Sequence, residues 1–201
     1  MENVSEAEKS ARKAASDRIK GTASVHIRSL LKNLHSCESM DAFDKAHEAT
    51  CKALVADYEG TLGVRKFTYG NAQKWVNMTL KYMYLLDGIY LACGRELWMH
   101  KGIERCRNWL HVPIDSYIME ALYREIELPR KENSRPSDKI KKLAFNTVAS
   151  DLIPWSKWDQ EQYAAVYKKI RLYAQNRDVN SCALIWENAA WIEVAKRRKD
   201  K

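Results

Sequence analysis

Glycine and proline are scarce in this chain, 7 and 4 among 201 residues. An all-β chain needs many tight turns and hence more of both, so a mostly helical fold is expected. Cysteine is present in an odd number, as Cys37, Cys51, Cys93, Cys106 and Cys182, widely spaced and with no secretory leader ahead of them. That excludes a secreted disulfide framework and predicts free thiols in a reducing, cytoplasmic setting. No Cys-x-x-Cys pair is present, and neither His100 nor His111 has a partner at ligand spacing, so no metal and no other cofactor is expected. No apolar run approaches the ~18 residues of a membrane span, so no transmembrane helix is expected and no membrane as partner. A Walker phosphate loop, a Gly-x-Ser-x-Gly elbow, a His-Glu-x-x-His pair and internal repeats are all absent.

What is present is apolar and basic. Apolar residues make up 46%, with seven tryptophans and ten tyrosines, enough for a sizeable core in one unit spanning residues 1–201. The formal charge of +8 favours polyanions, nucleic acid first and an acidic membrane surface second. A soluble protein that is merely basic satisfies the same composition. The sequence leaves protein partners and oligomeric state open, a monomer included.

The periodicity is helical nearly throughout. Residues 1–20 are polar and alanine-rich and predict a surface helix that Gly21 interrupts; Val25–Leu34 then reads as amphipathic. Ser39 to Asp41 offer N-caps for a helix burying Phe43, Ala46, Leu54 and Val55. Residues 127–139 carry two prolines and many charges, a polar loop or interlobe linker, and Ile140–Val148 reads as a short helix. Ser156 with Asp159 resembles a capping box for a helix over Asp159–Gln175, and Asn180 is the cap expected for the last helix. The final run AKRRKDK suits a helix C-terminus, where cations favour the dipole, and equally suits a phosphate contact.

Phe67–Leu86 carries the strongest pattern. From Asn71 it is a helix with apolar residues on nearly every side, from Trp75 and Val76 to Leu85 and Leu86, which predicts a core helix closed by Asp87-Gly88. Its polar residues Lys74, Asn77 and Lys81 stand at i, i+3 and i+7 and so share one face. A lysine on such a helix is paired, used, or extended to the surface. A second stretch, Trp109–Leu122, has Pro113 ahead of Asp115-Ser116, residues suited to opening a helix.

Together these stretches resemble the helix–hairpin–helix superfamily of DNA glycosylases, which joins a Gly-x-Gly-x-Lys hairpin to an apolar-Pro-apolar-Asp segment. Here the motifs read Gly70-Asn71-Ala72-Gln73-Lys74 and Val112-Pro113-Ile114-Asp115, within residues 61–125. Ala72 stands where the family usually has its second glycine, and 41 residues separate the lysine from the aspartate. The archaeal 8-oxoguanine branch, with a divergent hairpin and a stretched interval, is the nearer analogue. The family's iron–sulfur cysteine cluster has no counterpart.

The resemblance implies an all-α fold of two helical lobes around a cleft. It implies Lys74 and Asp115 as catalytic residues and duplex DNA with a damaged or modified base as partner. It further implies phosphate contacts from Gly70, Ala72 and Gln73, with Lys66 beside them, and a base pocket drawing on Trp75, Asn77, Trp109 and His111. Base excision develops positive charge on the sugar, which a fixed carboxylate stabilises; a neutral lysine amine can attack C1′ and form a Schiff base. The base must first be flipped and stacked in a pocket. Two other readings stay open: a nucleic-acid-binding helical module without catalysis, and a helical protein-interaction domain whose polar stripe is structural.

Overall fold

The computed structural model describes residues 6–59, 66–122, 124–125, 154–177 and 182–200. Among them it contains seven α-helices and no strand: α1 Glu6–Asn33, α2 Met40–Tyr58, α3 Tyr69–Ala92, α4 His100–Cys106, α5 Ser116–Leu122, α6 Gln160–Arg177 and α7 Ala183–Lys199. The all-α expectation is met. The polar stretch 127–139, the helix expected over Ile140–Val148 and the cap expected at Asn180 lie outside the described residues.

α1 runs unbroken through Gly21, contrary to the sequence expectation. A glycine inside a helix costs only about 1 kcal/mol. Just beyond it the stripe Ala23, Ile27, Leu30 and Leu31 is buried and holds the helix on its neighbours. Ser39 caps α2 as expected, its Oγ accepting from the Ala42 amide at 3.1 Å. α2 then buries Phe43, His47, Cys51 and Leu54 against α1 and α3.

α3 begins earlier and ends later than the sequence suggests. Thr68 is its N-cap, and the helix passes Asp87-Gly88 to reach Ala92; the left-handed residue is Gly94, at φ 69°. Asp87 is buried instead and accepts a hydrogen bond from His100 Nδ1 at 2.9 Å, joining α3 to α4. Only the N-terminal half of α3 is core, through Ala72, Val76 and Leu80. Tyr82, Leu85, Leu86 and Ile89 are exposed, so the expectation of a helix buried on all sides fails beyond Lys81. The apolar pattern there reports composition; no described element packs on that side.

The C-terminal helices close over the start of α3. α7 packs on α5 and α6, and α6 and the 3-10 turn Trp155–Lys157 pack on α3. The capping box of α6 is formed by Asp159 and Gln162, not by Ser156: the Gln162 amide donates to Asp159 Oδ1 at 2.9 Å and the Asp159 amide to Gln162 Oε1 at 3.0 Å. α7 starts after Cys182, which provides no side-chain cap.

Gly70 is where the turn meets α3. A Cβ on it would lie 1.9 Å from the Trp155 carbonyl oxygen, and its amide donates to the Trp158 carbonyl at 3.0 Å. Gly70→Ala is therefore expected to push the 155–158 turn off α3 and to lower stability by about 2 kcal/mol or more, in the range of overpacked cores. Thermal denaturation checks this; an unchanged melting temperature refutes the close approach.

Candidate active site at the α3–α5 junction

The hairpin expected around Gly70 is the first turn of α3. Gly70, Ala72 and Gln73 are buried, and the Gly70 amide is occupied by Trp158. These three are not available to phosphate in this arrangement, which corrects the sequence reading. The cause is the turn 155–158, distant in sequence, which covers the helix start. Lys66 is exposed and lines a groove of about 1070 Å3 with Lys52, Phe67, Thr68 and Lys157.

Lys74 and Asp115 meet. Lys74 Nζ donates to Asp115 Oδ2 at 3.0 Å, with side-chain exposures of 31% and 16%. The other carboxylate oxygen caps α5, accepting from the Tyr117 and Ile118 amides at 2.9 and 3.1 Å. Asp115 is thus both a helix cap and the partner of a lysine, and the capping bonds hold its carboxylate in place for that pairing. The ammonium lies 4.8 Å from the centroid of the Trp155 ring. The sequence reading gives Trp155 no part in the site.

The segment leading to Asp115 is held by side chains. Asn77 Nδ2 donates to the Val112 carbonyl at 2.9 Å, Gln73 Nε2 to the Ile114 carbonyl at 3.4 Å, and the Tyr167 hydroxyl to the Trp109 carbonyl at 3.3 Å. Asn77 Nδ2 also reaches Gln73 Oε1 and the Tyr163 hydroxyl, both at 3.0 Å. With that hydroxyl accepting from Asn77, its proton goes to His111 Nδ1 at 2.8 Å, and His111 Nε2–H donates to Asp44 Oδ1 at 2.9 Å. His47 Nε2–H donates to Asn77 Oδ1 at 2.6 Å. Arg171 completes the network on the second oxygen of Asp44 at 2.7 Å.

This network engages two of the four residues expected in the base pocket. Asn77 and His111 are buried, and their polar atoms serve the protein itself. His111 borders a separate cavity of about 340 Å3 with Asp44, His47, Tyr163, Tyr167 and Arg171. Trp75 and Trp109 are partly buried and pack on the core. Lone polar residues on apolar faces, such as His47 and Asn77, were the available signal, but their partners come from α2, α3, α6 and the Val112 segment.

Both histidines are held neutral. Burial depresses His47 well below the ordinary histidine value, with His111 adding to the effect, and burial depresses His111 against the opposing pull of Asp44. Their rings lie 4.1 Å apart. The unfolded chain takes up these protons near pH 6.5, so stability is complete above that value and is lost as pH falls toward the depressed folded values. Urea unfolding is expected to show a constant midpoint from pH 7 to 8 and a lower midpoint at pH 5.5. An equal midpoint at pH 5.5 contradicts the neutral pair.

A second ion pair adjoins the first. Lys81 donates to Glu187 on α7 at 2.6 Å, with exposures of 13% and 2%. Burial raises the Glu187 carboxyl, Lys81 opposes that rise, and the charges of Asp115 and Lys74 also act on it. Beside Asp115, Tyr117 stacks on Trp191, and Arg198 lies over Tyr117 at 4.0 Å. Glu187 and Trp191 were not anticipated; a lone carboxylate within the buried face of α7 was the only sign. Among the described residues no cluster of three or more His, Cys, Asp or Glu could hold a metal ion, and no helix is long and apolar enough to cross a membrane. Comparisons with family models, curated proteins and solved structures returned no match to this chain.

Proposed function

We propose that this chain is a DNA glycosylase with associated lyase activity, acting on a flipped damaged or modified base and needing no cofactor. The observation that carries the reading is the contact of Lys74 with Asp115 across 41 residues, at 3.0 Å, from the start of a long helix to the cap of another. It is the juxtaposition that the helix–hairpin–helix resemblance implies, and it joins α3 to the Val112–Asp115 segment.

In this reading Asp115 stabilises the charge that develops on the sugar as the base leaves. Lys74 gives its proton to Asp115 Oδ2, from which it passes to the departing base, restoring the carboxylate. The freed amine bonds to C1′ as the bond from C1′ to the base breaks; the resulting ammonium passes a proton to the ring oxygen O4′, and cleavage of the C1′–O4′ bond yields a Schiff base. Trp155 forms an apolar wall over the amine, and the Tyr117–Trp191 stack adjoins the Asp115 cap.

Borohydride trapping tests this. The full chain with duplex DNA containing an abasic site should yield a covalent adduct, because reduction turns the Schiff base into a stable amine. No adduct, together with no release from a broad panel of modified bases, rejects the reading. One observation favours the interaction-domain alternative: the exposed Tyr82, Leu85, Leu86 and Ile89 on α3. That reading expects Lys74 to matter for stability and not for any reaction with DNA.

A further inference from the structure

The last turn of α7 carries four consecutive cations, Lys196, Arg197, Arg198 and Lys199. Helix-dipole stabilisation accounts for cations there but not for their location. Arg198 Nη2 donates to the carbonyl of Ser116, the residue after Asp115, at 3.3 Å, and Arg198 Nε donates to Glu120 Oε2 at 3.1 Å. The basic tip is thereby pinned beside the Lys74–Asp115 pair.

Apart from Asp200, the described carboxylates around it are already engaged. Asp115 pairs with Lys74, Glu187 with Lys81 and Glu193 with Arg197, while Glu120 is shared by Arg124 and Arg198. Lys196 and Lys199 are exposed, and among the described residues they have no ion-pair partner; Asp200 is the carboxylate nearest to them in sequence. The start of α3, where the resemblance would put phosphate, is closed by the 155–158 turn. Among the described residues, positive charge at α7 therefore remains unneutralised.

We infer that the last turn of α7 is a phosphate grip, with Lys196 and Lys199 contacting the sugar-phosphate backbone of the nucleic acid strand that enters the Lys74–Asp115 site. This rests on the glycosylase reading for the identity of the strand. Arg198, held over Tyr117 and on Ser116, fixes the tip relative to Asp115. A strand gripped there reaches the reactive pair without needing the amides of the first turn of α3.

The test is a salt series on the full chain. Binding to a labelled duplex with a tetrahydrofuran abasic analogue is measured by fluorescence anisotropy from 50 to 300 mM KCl. Each phosphate contact contributes about 0.9 to the slope of log Kobs against log[KCl], so Lys196→Gln/Lys199→Gln should lower the slope by roughly 1.8. Lys13→Gln/Lys32→Gln, on α1, should leave it unchanged, and circular dichroism confirms that both variants are folded. An unchanged slope in the α7 variant overturns the inference, as does an equal fall in the α1 variant. A variant that loses binding only to phosphatidylserine vesicles also overturns it, because the partner would then be a membrane surface. Borohydride trapping reads the chemistry separately. A lowered slope with neither an adduct nor release of any base in the panel rejects the glycosylase reading and keeps the grip, whereas an adduct with an unchanged slope rejects the grip alone.

Discussion

Lys74→Gln should abolish the borohydride-trapped adduct and lower base release by roughly three orders of magnitude, within the range for a lost group that acts directly in the reaction. Its cost in stability should be about 1 kcal/mol or less, because Lys74 is about a third exposed and solvent screens the pair. Asp115→Asn separates the two roles of that carboxylate. Asparagine caps a helix about as well as aspartate, so the fold should hold, but the lost charge should slow base release by about 10²- to 10³-fold. Single-turnover kinetics with matched urea unfolding measures both. If Asp115→Asn leaves the rate unchanged, the carboxylate is a cap and nothing more. If Lys74→Gln destabilises strongly and leaves the adduct intact, the pair is structural.

Asn77→Leu should have the largest effect on stability. It preserves shape while removing the groups that bond the Val112 carbonyl, Gln73 Oε1, Tyr163 and His47. Each buried group left unpaired costs about 1–3 kcal/mol, so a total of about 4 kcal/mol is expected from urea unfolding. The damage should also reach the chemistry. With Val112 released, the segment that delivers Asp115 loses one of its ties to α3, and adduct formation should slow even where the variant remains folded. A near-neutral Asn77→Leu would show that packing, not this network, sets the position of Asp115.

The pairing of Lys74 with Asp115 was legible because it came from two short motifs in a fixed order, each with a local meaning. A lysine on an apolar helix calls for a partner, and an aspartate after an apolar-Pro-apolar run opens a helix. The rest of the site was not legible in that way. Asn77 and His111 read as pocket residues because an isolated polar side chain on an apolar face looks available. In the structure they are used up by Tyr163, Asp44 and His47, residues on α2 and α6. Trp155 and Glu187 went unnoticed because a tryptophan in a turn and a glutamate in a helix are ordinary until another element is laid over them.

Helix content, the Ser39 cap and the charge of +8 follow from local chemistry, since propensity, capping and composition act within a few residues or over the whole chain at once. Local rules also misjudged some boundaries. Gly21 does not break α1 and Asp87-Gly88 does not end α3, because the packing of Ile27 and Leu30 in one case, and the Asp87–His100 bond in the other, outweighs an intrinsic preference of about 1 kcal/mol. Burial depends on what arrives from far along the chain. The turn at Trp155 closes the first turn of α3 to phosphate, and α7 carries Glu187 to Lys81 and Arg198 to Ser116. Whether a polar side chain is a ligand or a core contact is settled by those long-range neighbours, since an amide or imidazole already desolvated and bonded has nothing left to offer a substrate.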